Sequence, residues 1–124
     1  MSEKFMTNPV LKASEAVVQV FDWGELHWFV NAEIGNSKTT TLGRCILKPG
    51  YENPRHIHPN CEELLQVVSG KIMHTLADEV YEMKAGDTIS IPENVVHNAK
   101  NVGAENAILT IVFSSAYRET QGES

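Results

Sequence analysis

Short apolar runs separated by turn residues follow one another along the whole chain. No window shows the 3.6-residue apolar period of a helix. Many short strands with Gly and Pro between them are typical of an all-β sandwich or barrel. The strands predicted from the runs rich in Val, Ile, Leu and aromatic residues cover residues 16–21, 26–30, 39–48, 64–68, 71–76, 80–83, 87–91 and 107–113.

Glycine and proline mark the turns between these strands. Pro49-Gly50, Ala85-Gly86 and Pro92-Glu93-Asn94 are turn signals, and glycine accepts a positive φ there at no steric cost. The two-residue link Ser69-Gly70 predicts a hairpin between the strands at 64–68 and 71–76.

The two ends of the chain differ from the middle. Residues 1–13 are mixed and polar, and Pro9 argues against a regular element, so they are predicted to form an irregular arm. Such an arm is often ordered only by packing, for example against a partner subunit. Residues 14–117 are predicted to form one all-β domain, and residues 118–124 a polar, frayed tail.

Length and charge narrow the class of protein. A chain of 124 residues fits a single domain. Its net charge of −6, without a basic cluster, argues against nucleic acid or an anionic membrane as partner. Cys45 and Cys61 make no disulfide framework, and no apolar run is long enough for a signal peptide or a membrane span. A cytoplasmic protein is therefore expected.

A cluster of potential metal ligands follows the Pro49-Gly50 turn. If the chain is extended there, His56 and His58 point to the same face, where two imidazoles can bind one ion. Glu63 could add a carboxylate, and His97 could close the site from another strand. Imidazole and carboxylate together admit Fe, Mn, Ni, Cu or Zn. A lone His-x-His pair is more often hydrogen-bonded than metal-bound, so the wider pattern matters.

That wider pattern resembles the cupin superfamily. The first cupin motif is Gly, five residues, His-x-His, three or four residues, Glu, six residues, Gly; the second is Gly, five residues, Pro-x-Gly, two residues, His, three residues, Asn. The matching residues of the first motif are Gly50, His56, His58, Glu63 and Gly70. Those of the second are Gly86, Pro92, His97 and Asn101, with Asn94 in place of a glycine. Asparagine is the next-best residue for positive φ, so the turn can survive.

The resemblance implies a single cupin barrel of antiparallel strands, commonly a homodimer, with a metal ion inside. It implies that the metal ligands are His56, His58, Glu63 and His97. Glu62 also satisfies the looser three-residue gap after His58, but Glu62 and Glu63 point to opposite faces of a strand. Glu63 is preferred because it preserves the six-residue gap to Gly70.

Several other side chains have both a functional and a structural interpretation. His74 would be an acid/base group if its strand face looks into the barrel, and a packing residue otherwise. Arg44 would bind a substrate carboxylate if buried, but is more simply a surface residue. Cys61 is more simply a small loop residue than a ligand. The aromatic residues that could line a pocket mouth or a dimer interface are Trp28, Tyr51, Phe113 and Tyr117.

The resemblance favours a metal-dependent enzyme acting on a small organic substrate. Four protein ligands leave positions on the ion for substrate, water or O₂. Cupins include dioxygenases, decarboxylases, isomerases and lyases, so the family does not choose the reaction. The alternative is a non-catalytic module that binds a sugar or an acidic metabolite, which needs a pocket but no proton-transfer group. A barrel that serves only in assembly is disfavoured by the intact ligand set.

Overall fold

The protein is almost entirely β-structure. The computed structural model describes residues 2–122, so Met1 of the predicted arm and the last two residues of the predicted tail lie outside the described residues. A short helix, α1 (Glu3–Thr7), and a 3-10 turn at Ala13–Glu15 precede the sheets. The strands are β1 (Val17–Phe21), β2 (Gly24–Val30), β3 (Thr41–Leu47), β4 (His56–Ile57), β5 (Glu63–Ser69), β6 (Lys71–Leu76), β7 (Glu79–Lys84), β8 (Thr88–Ile91), β9 (His97–Asn101), β10 (Ala107–Phe113) and β11 (Gln121–Gly122).

These strands form two antiparallel sheets, as the all-β prediction requires. One has the order β1-β2-β3-β10-β5-β8, and the other has the order β11-β4-β9-β6-β7. In β3 and β10 every second residue is buried, which is the alternation expected of strands with one face on a core. Leu47 and Leu109 of the first sheet and Ile72 of the second belong to one apolar cluster.

The predicted hairpin at Ser69-Gly70 is wrong. Strand β5 pairs with β10 and β8, whereas β6 pairs with β7 and β9, so the chain changes sheets at Gly70. Gly70 has φ 97°, and a Cβ on it would lie 2.9 Å from the Cα of Ala107. The glycine is therefore needed for a close approach between chain segments as well as for the turn. Strand β6 forms a hairpin with β7 instead.

The amino-terminal residues are more regular than predicted. Residues 3–7 form α1 instead of an irregular segment, and Pro9 lies beyond the helix. Phe5 is buried, and the Ser2 amide donates a hydrogen bond to the Gly35 carbonyl. The arm is thus held by a loop of its own chain. Within the described part of the protein, no helix is long and apolar enough to cross a membrane.

Three strands were not predicted from the hydrophobic pattern because they are short or polar. They are β4, β9 and β11. Strand β9 contains His97, Asn98, Lys100 and Asn101, and β4 has only two residues. Strand β11 also corrects the expectation of a frayed tail. Gln121 and Gly122 pair with Ile57 and His56, which places the end of the described chain beside the predicted ligands.

Candidate metal centre

The structure brings His56, His58, Glu63 and His97 together. One potential ligand atom from each residue can be chosen so that all of these atoms lie within 4.8 Å of one another. His58, Glu63 and His97 are buried and His56 is partly buried. The four residues span 42 positions of the sequence, counted from 56 to 97 inclusive, so the fold and not local chain geometry creates the cluster.

Both sheets contribute to the cluster. His56 in β4 lies directly opposite His97 in β9. His58 follows β4, and Glu63 is the first residue of β5 in the other sheet. The turn before β9 has the geometry that the motif predicts: Asn94 has φ 65°, and its amide donates to the His58 carbonyl at 3.1 Å. Asn94, which tolerates positive φ, thus connects the turn before His97 to the backbone of His58.

A backbone carbonyl fixes the orientation of each imidazole. Nδ1 of His56 lies 2.7 Å from the Pro54 carbonyl oxygen, and Nδ1 of His97 lies 2.9 Å from that of Val95. Nδ1 of His58 lies 2.9 Å from the Glu119 carbonyl oxygen. Because a carbonyl can only accept, each Nδ1 donates its proton. In the neutral ring, Nε2 then carries the lone pair.

These lone pairs leave an excess of electron-pair donors around Glu63. Its Oε1 lies 3.2 Å from Nε2 of His58 and 3.1 Å from Nε2 of His97. His58 Nε2 is buried and has no hydrogen-bond partner. Lone pairs and a carboxylate that converge on one point repel each other unless a proton or a cation lies between them. The donor set of three imidazoles and one carboxylate therefore fits a divalent transition-metal ion.

Glu63 is ionised in this environment. Burial alone would raise the pKa of its carboxyl, but a proton on Nε2 of His58 or His97, in the place that a cation would take, stabilises the carboxylate; this interaction outweighs burial and holds the pKa at about 2. A ligand carboxylate must be deprotonated to bind a cation, so Glu63 is ready to bind one across the physiological range.

His74 lies beside the cluster. It is 1% exposed, and its ring is nearly parallel to that of His97 with 5.9 Å between the centroids. Its Nδ1 is buried without a hydrogen-bond partner. Burial lowers the pKa of His74 to about 4, so the ring is neutral near pH 7. The His74 side chain therefore lies on the inner face of β6, which is the condition for its acid/base interpretation.

The cluster opens into a cavity of about 350 Å³. His74 and the four potential ligands line it together with apolar side chains such as Leu65, Ile111 and Phe113. This volume is at the lower end of small-molecule sites, which are mostly apolar with a few polar groups that orient the ligand. The arrangement can accommodate a small organic molecule beside a bound ion.

Sequence reasoning missed the carboxyl-terminal segment, residues 117–122, as part of this site. The Glu119 carbonyl accepts from His58, and Thr120 Oγ1 lies 3.2 Å from the same Nδ1. The Arg118 guanidinium lies over the Trp28 ring, 4.4 Å from its centroid, and lines the cavity. No motif marks these residues; the β11–β4 pairing and the hydrogen bonds of Asn60 bring them here.

The other candidates lie elsewhere. Glu62 is exposed, so the choice of Glu63 agrees with the geometry. Arg44 is exposed over the Phe29 ring, away from the residues that line the cavity. Cys61 is buried outside the cluster, and burial raises the pKa of its thiol. Among the aromatic residues, Trp28 and Phe113 line the cavity, whereas Tyr51 and Tyr117 are exposed.

Comparison with known proteins agrees with the fold and the cluster. Germin-like protein 3-8 of Oryza sativa subsp. japonica is 34% identical over 85 residues, which cover 64% of this chain and 38% of that protein. Oxalate oxidase 1 of Hordeum vulgare is 30% identical over 88 residues, covering 64% of this chain and 44% of the oxidase. This chain therefore spans less than half the length of these two relatives.

The solved structure of an S161A mutant of Bacillus subtilis oxalate decarboxylase has the same fold. It superimposes with a TM-score of 0.81 over 89% of this chain and 30% of the decarboxylase chain, at 22% identity. A family model described as a cupin domain matches residues 43–113, a stretch that contains all four cluster residues. The chain is a member of the cupin family.

Proposed function

We propose that the protein is a metal-dependent enzyme that acts on a small organic substrate, with one divalent transition-metal ion bound by His56, His58, Glu63 and His97. The observation that carries the proposal is the fixed tautomer of three imidazoles whose Nε2 atoms converge with a buried carboxylate at the wall of a cavity. Such an ion would supply Lewis acidity towards a carbonyl or carboxylate oxygen or, as iron, reactivity towards O₂.

His74 is the proposed proton-transfer group. It lines the cavity, is neutral near pH 7, and has a ring nitrogen without a protein partner. A neutral imidazole can accept a proton from a substrate and return it to a product. The apolar walls around it lower the local dielectric constant, which strengthens electrostatic interactions in the cavity.

The relatives suggest the first substrates to assay. One is named an oxalate oxidase, and the structural neighbour is an oxalate decarboxylase. Oxalate and other small organic acids therefore come first. The metal is not specified by three imidazoles and a carboxylate, so Mn(II), Fe(II), Ni(II), Cu(II) and Zn(II) should each be supplied.

The test is turnover by untagged protein reconstituted with each metal. Oxygen consumption, CO₂ release and substrate loss by NMR would each be followed. We expect turnover with at least one metal, its loss after chelation, and a rate lower by roughly 100-fold in His74→Gln. His27→Gln is the matched control, because His27 pairs with Glu25 outside the cavity lining. Stoichiometric metal without turnover of any organic acid would contradict the enzyme proposal and favour ligand binding alone.

A further inference from the structure

Arg118 presents a guanidinium to the cavity on a platform of aromatic rings. Its Cζ lies 4.4 Å from the centroid of Trp28 and 5.2 Å from that of Phe113. The Trp28 ring is itself held by a hydrogen bond from Nε1 to Gln19 Oε1 at 2.9 Å. Stacking on rings is a common way to position a guanidinium while its edge stays available for hydrogen bonds.

This guanidinium has no acidic partner within residues 2–122. No ion pair joins it to a carboxylate there, and its one hydrogen bond to those residues goes from Nη1 to Thr120 Oγ1 at 2.6 Å. Arginine carries five N–H donors in a planar fork that matches a carboxylate. Most of that capacity is therefore unused by the described protein, although the group is partly buried.

The described residues that line the cavity carry little negative charge. Glu63 is the one acidic residue among the described lining residues, and it belongs to the metal cluster. The other arginine of the lining, Arg55, donates to Thr75 Oγ1 at 3.2 Å and to the Ala77 carbonyl at 3.3 Å. A divalent cation on Glu63 would leave the cavity with a net positive charge, which favours an anionic ligand.

The backbone around Arg118 is held in place from both sides. Asn60 Nδ2 donates to the Tyr117 carbonyl at 2.9 Å, and the Glu119 amide donates to Asn60 Oδ1 at 3.0 Å. The Glu119 carbonyl then binds His58 Nδ1. The segment that carries Arg118 is thus hydrogen-bonded to His58, one of the proposed metal ligands. The guanidinium of Arg118 and the metal cluster therefore keep a fixed separation.

We propose that Arg118 binds a carboxylate of the ligand in this cavity, so that the substrate is a small organic acid held by the carboxyl-terminal segment. The inference deepens the proposed function. It rests on that function in one respect, namely that the ligand and the metal occupy the same cavity. Arg118 acts in binding, and no bond of the substrate is made or broken by it.

The test compares two probes of similar size, oxamate, which has one carboxylate, and its neutral diamide, oxamide. Calorimetric titration would use the whole protein, both manganese-loaded and metal-free. We expect oxamate to bind more tightly than oxamide, and Arg118→Gln to weaken oxamate by at least about tenfold, or about 1.4 kcal/mol, with little change for oxamide. Arg118→Lys, which keeps the charge but loses the fork, should fall between the two.

Arg44→Gln is the matched control, because Arg44 also lies over an aromatic ring but outside the cavity lining. If Arg118→Gln proves unstable, Arg118→Met is used in its place, because methionine keeps an apolar side chain on the Trp28 ring. Equal oxamate affinity in the wild type and the Arg118 variants, or no oxamate binding to the wild type, would overturn the inference. Failure to bind any of the five candidate ions would contradict the proposed function alone, since the metal-free titration still reports on Arg118.

Discussion

Each cluster imidazole shows how one hydrogen bond selects a chemical role. A carbonyl at Nδ1 leaves Nε2 as the lone-pair donor in His56, His58 and His97. The carbonyl that accepts from His97 belongs to Val95, two residues earlier. The one that accepts from His58 belongs to Glu119, far along the chain. The orientation of His97 is therefore set locally, and that of His58 depends on the carboxyl-terminal segment.

Glu63 and its neighbour Glu62 offer a matched pair of variants. Glu63→Gln keeps the size of the side chain but removes the charge that would bind a cation. We expect metal affinity to fall by more than roughly 100-fold, since a direct ligand matters more than the outer partners that orient one. Glu62→Gln should leave affinity unchanged, because Glu62 is exposed. The measurement is competition with a chromophoric chelator, and similar affinities in the two variants would refute the ligand assignment.

Two buried imidazoles predict how the metal-free protein responds to acid. Burial lowers the pKa of His56 and of His74 to about 4 from the ordinary histidine value of 6.5. Between those values the unfolded chain binds more protons, so stability is fully present above pH 6.5 and is lost as the pH falls to about 4. The loss is up to about 3 kcal/mol of unfolding free energy per histidine.

Urea unfolding of EDTA-treated protein at several pH values between about 7.5 and 5 would measure this loss. His74→Gln should make the pH dependence shallower, and His27→Gln, which changes a histidine outside the cavity, should not. A midpoint that stays constant over this pH range would contradict the assignment of buried, neutral histidines.

The sequence predicts single residues well where a spacing encodes them. Asn94 has the positive φ that its place in the motif requires, and Glu63 lies in the cluster while Glu62 faces solvent. Arg118 could not be predicted in the same way. A polar residue near the end of a chain looks like any solvated residue until the fold shows which rings it covers.

Among the elements, β11 has the least sequence signal and a large effect on the site. It has two residues, yet it pairs with β4 and holds Glu119 against His58. Residues 117–122 are also fixed by both polar groups of the Asn60 side chain. The metal cluster is thus completed by an element that contributes none of the four potential ligands.

Removal of this element should weaken metal binding without removing a ligand. Deletion of residues 119–124 takes away the carbonyl that orients His58, and loss of such an outer partner typically costs 10–100-fold in metal affinity. Glu119→Ala is the matched control and should have no effect, because the Glu119 side chain is exposed and the variant keeps the backbone carbonyl. Equal affinity of the truncated protein and this variant, measured by the same chelator competition, would show that the segment does not support the centre.

Strand prediction succeeded where apolar residues alternate and failed where pairing alone makes the strand. The bounds of β6 and β10 are those predicted, because both have a buried apolar face. Strand β9 is polar and β4 has two residues; β9 forms by pairing along its length with β6, and β4 pairs with β9 at His56 and His97. The hairpin at Gly70 failed because a two-residue link does not reveal whether the chain stays in one sheet.

At the scale of the whole molecule, two facing sheets enclose a cavity whose wall carries the cluster. Glu63 comes from one sheet and His56 and His97 from the other, so the site exists only when both sheets are assembled. Loss of fold and loss of metal are therefore coupled, and bound metal should stabilise the protein. The homodimer, the cytoplasmic location and the absence of nucleic-acid partners stay predictions.

The metal content of the protein tests the central claim most directly. Untagged protein would be incubated with each candidate divalent ion, desalted and analysed by mass spectrometry of the elements, beside the double variant His58→Ala/His97→Ala. We predict about one ion per chain in the wild type and almost none in the variant, because two of four ligands are gone. A wild type that retains no ion, or a variant that retains as much as the wild type, would contradict the account.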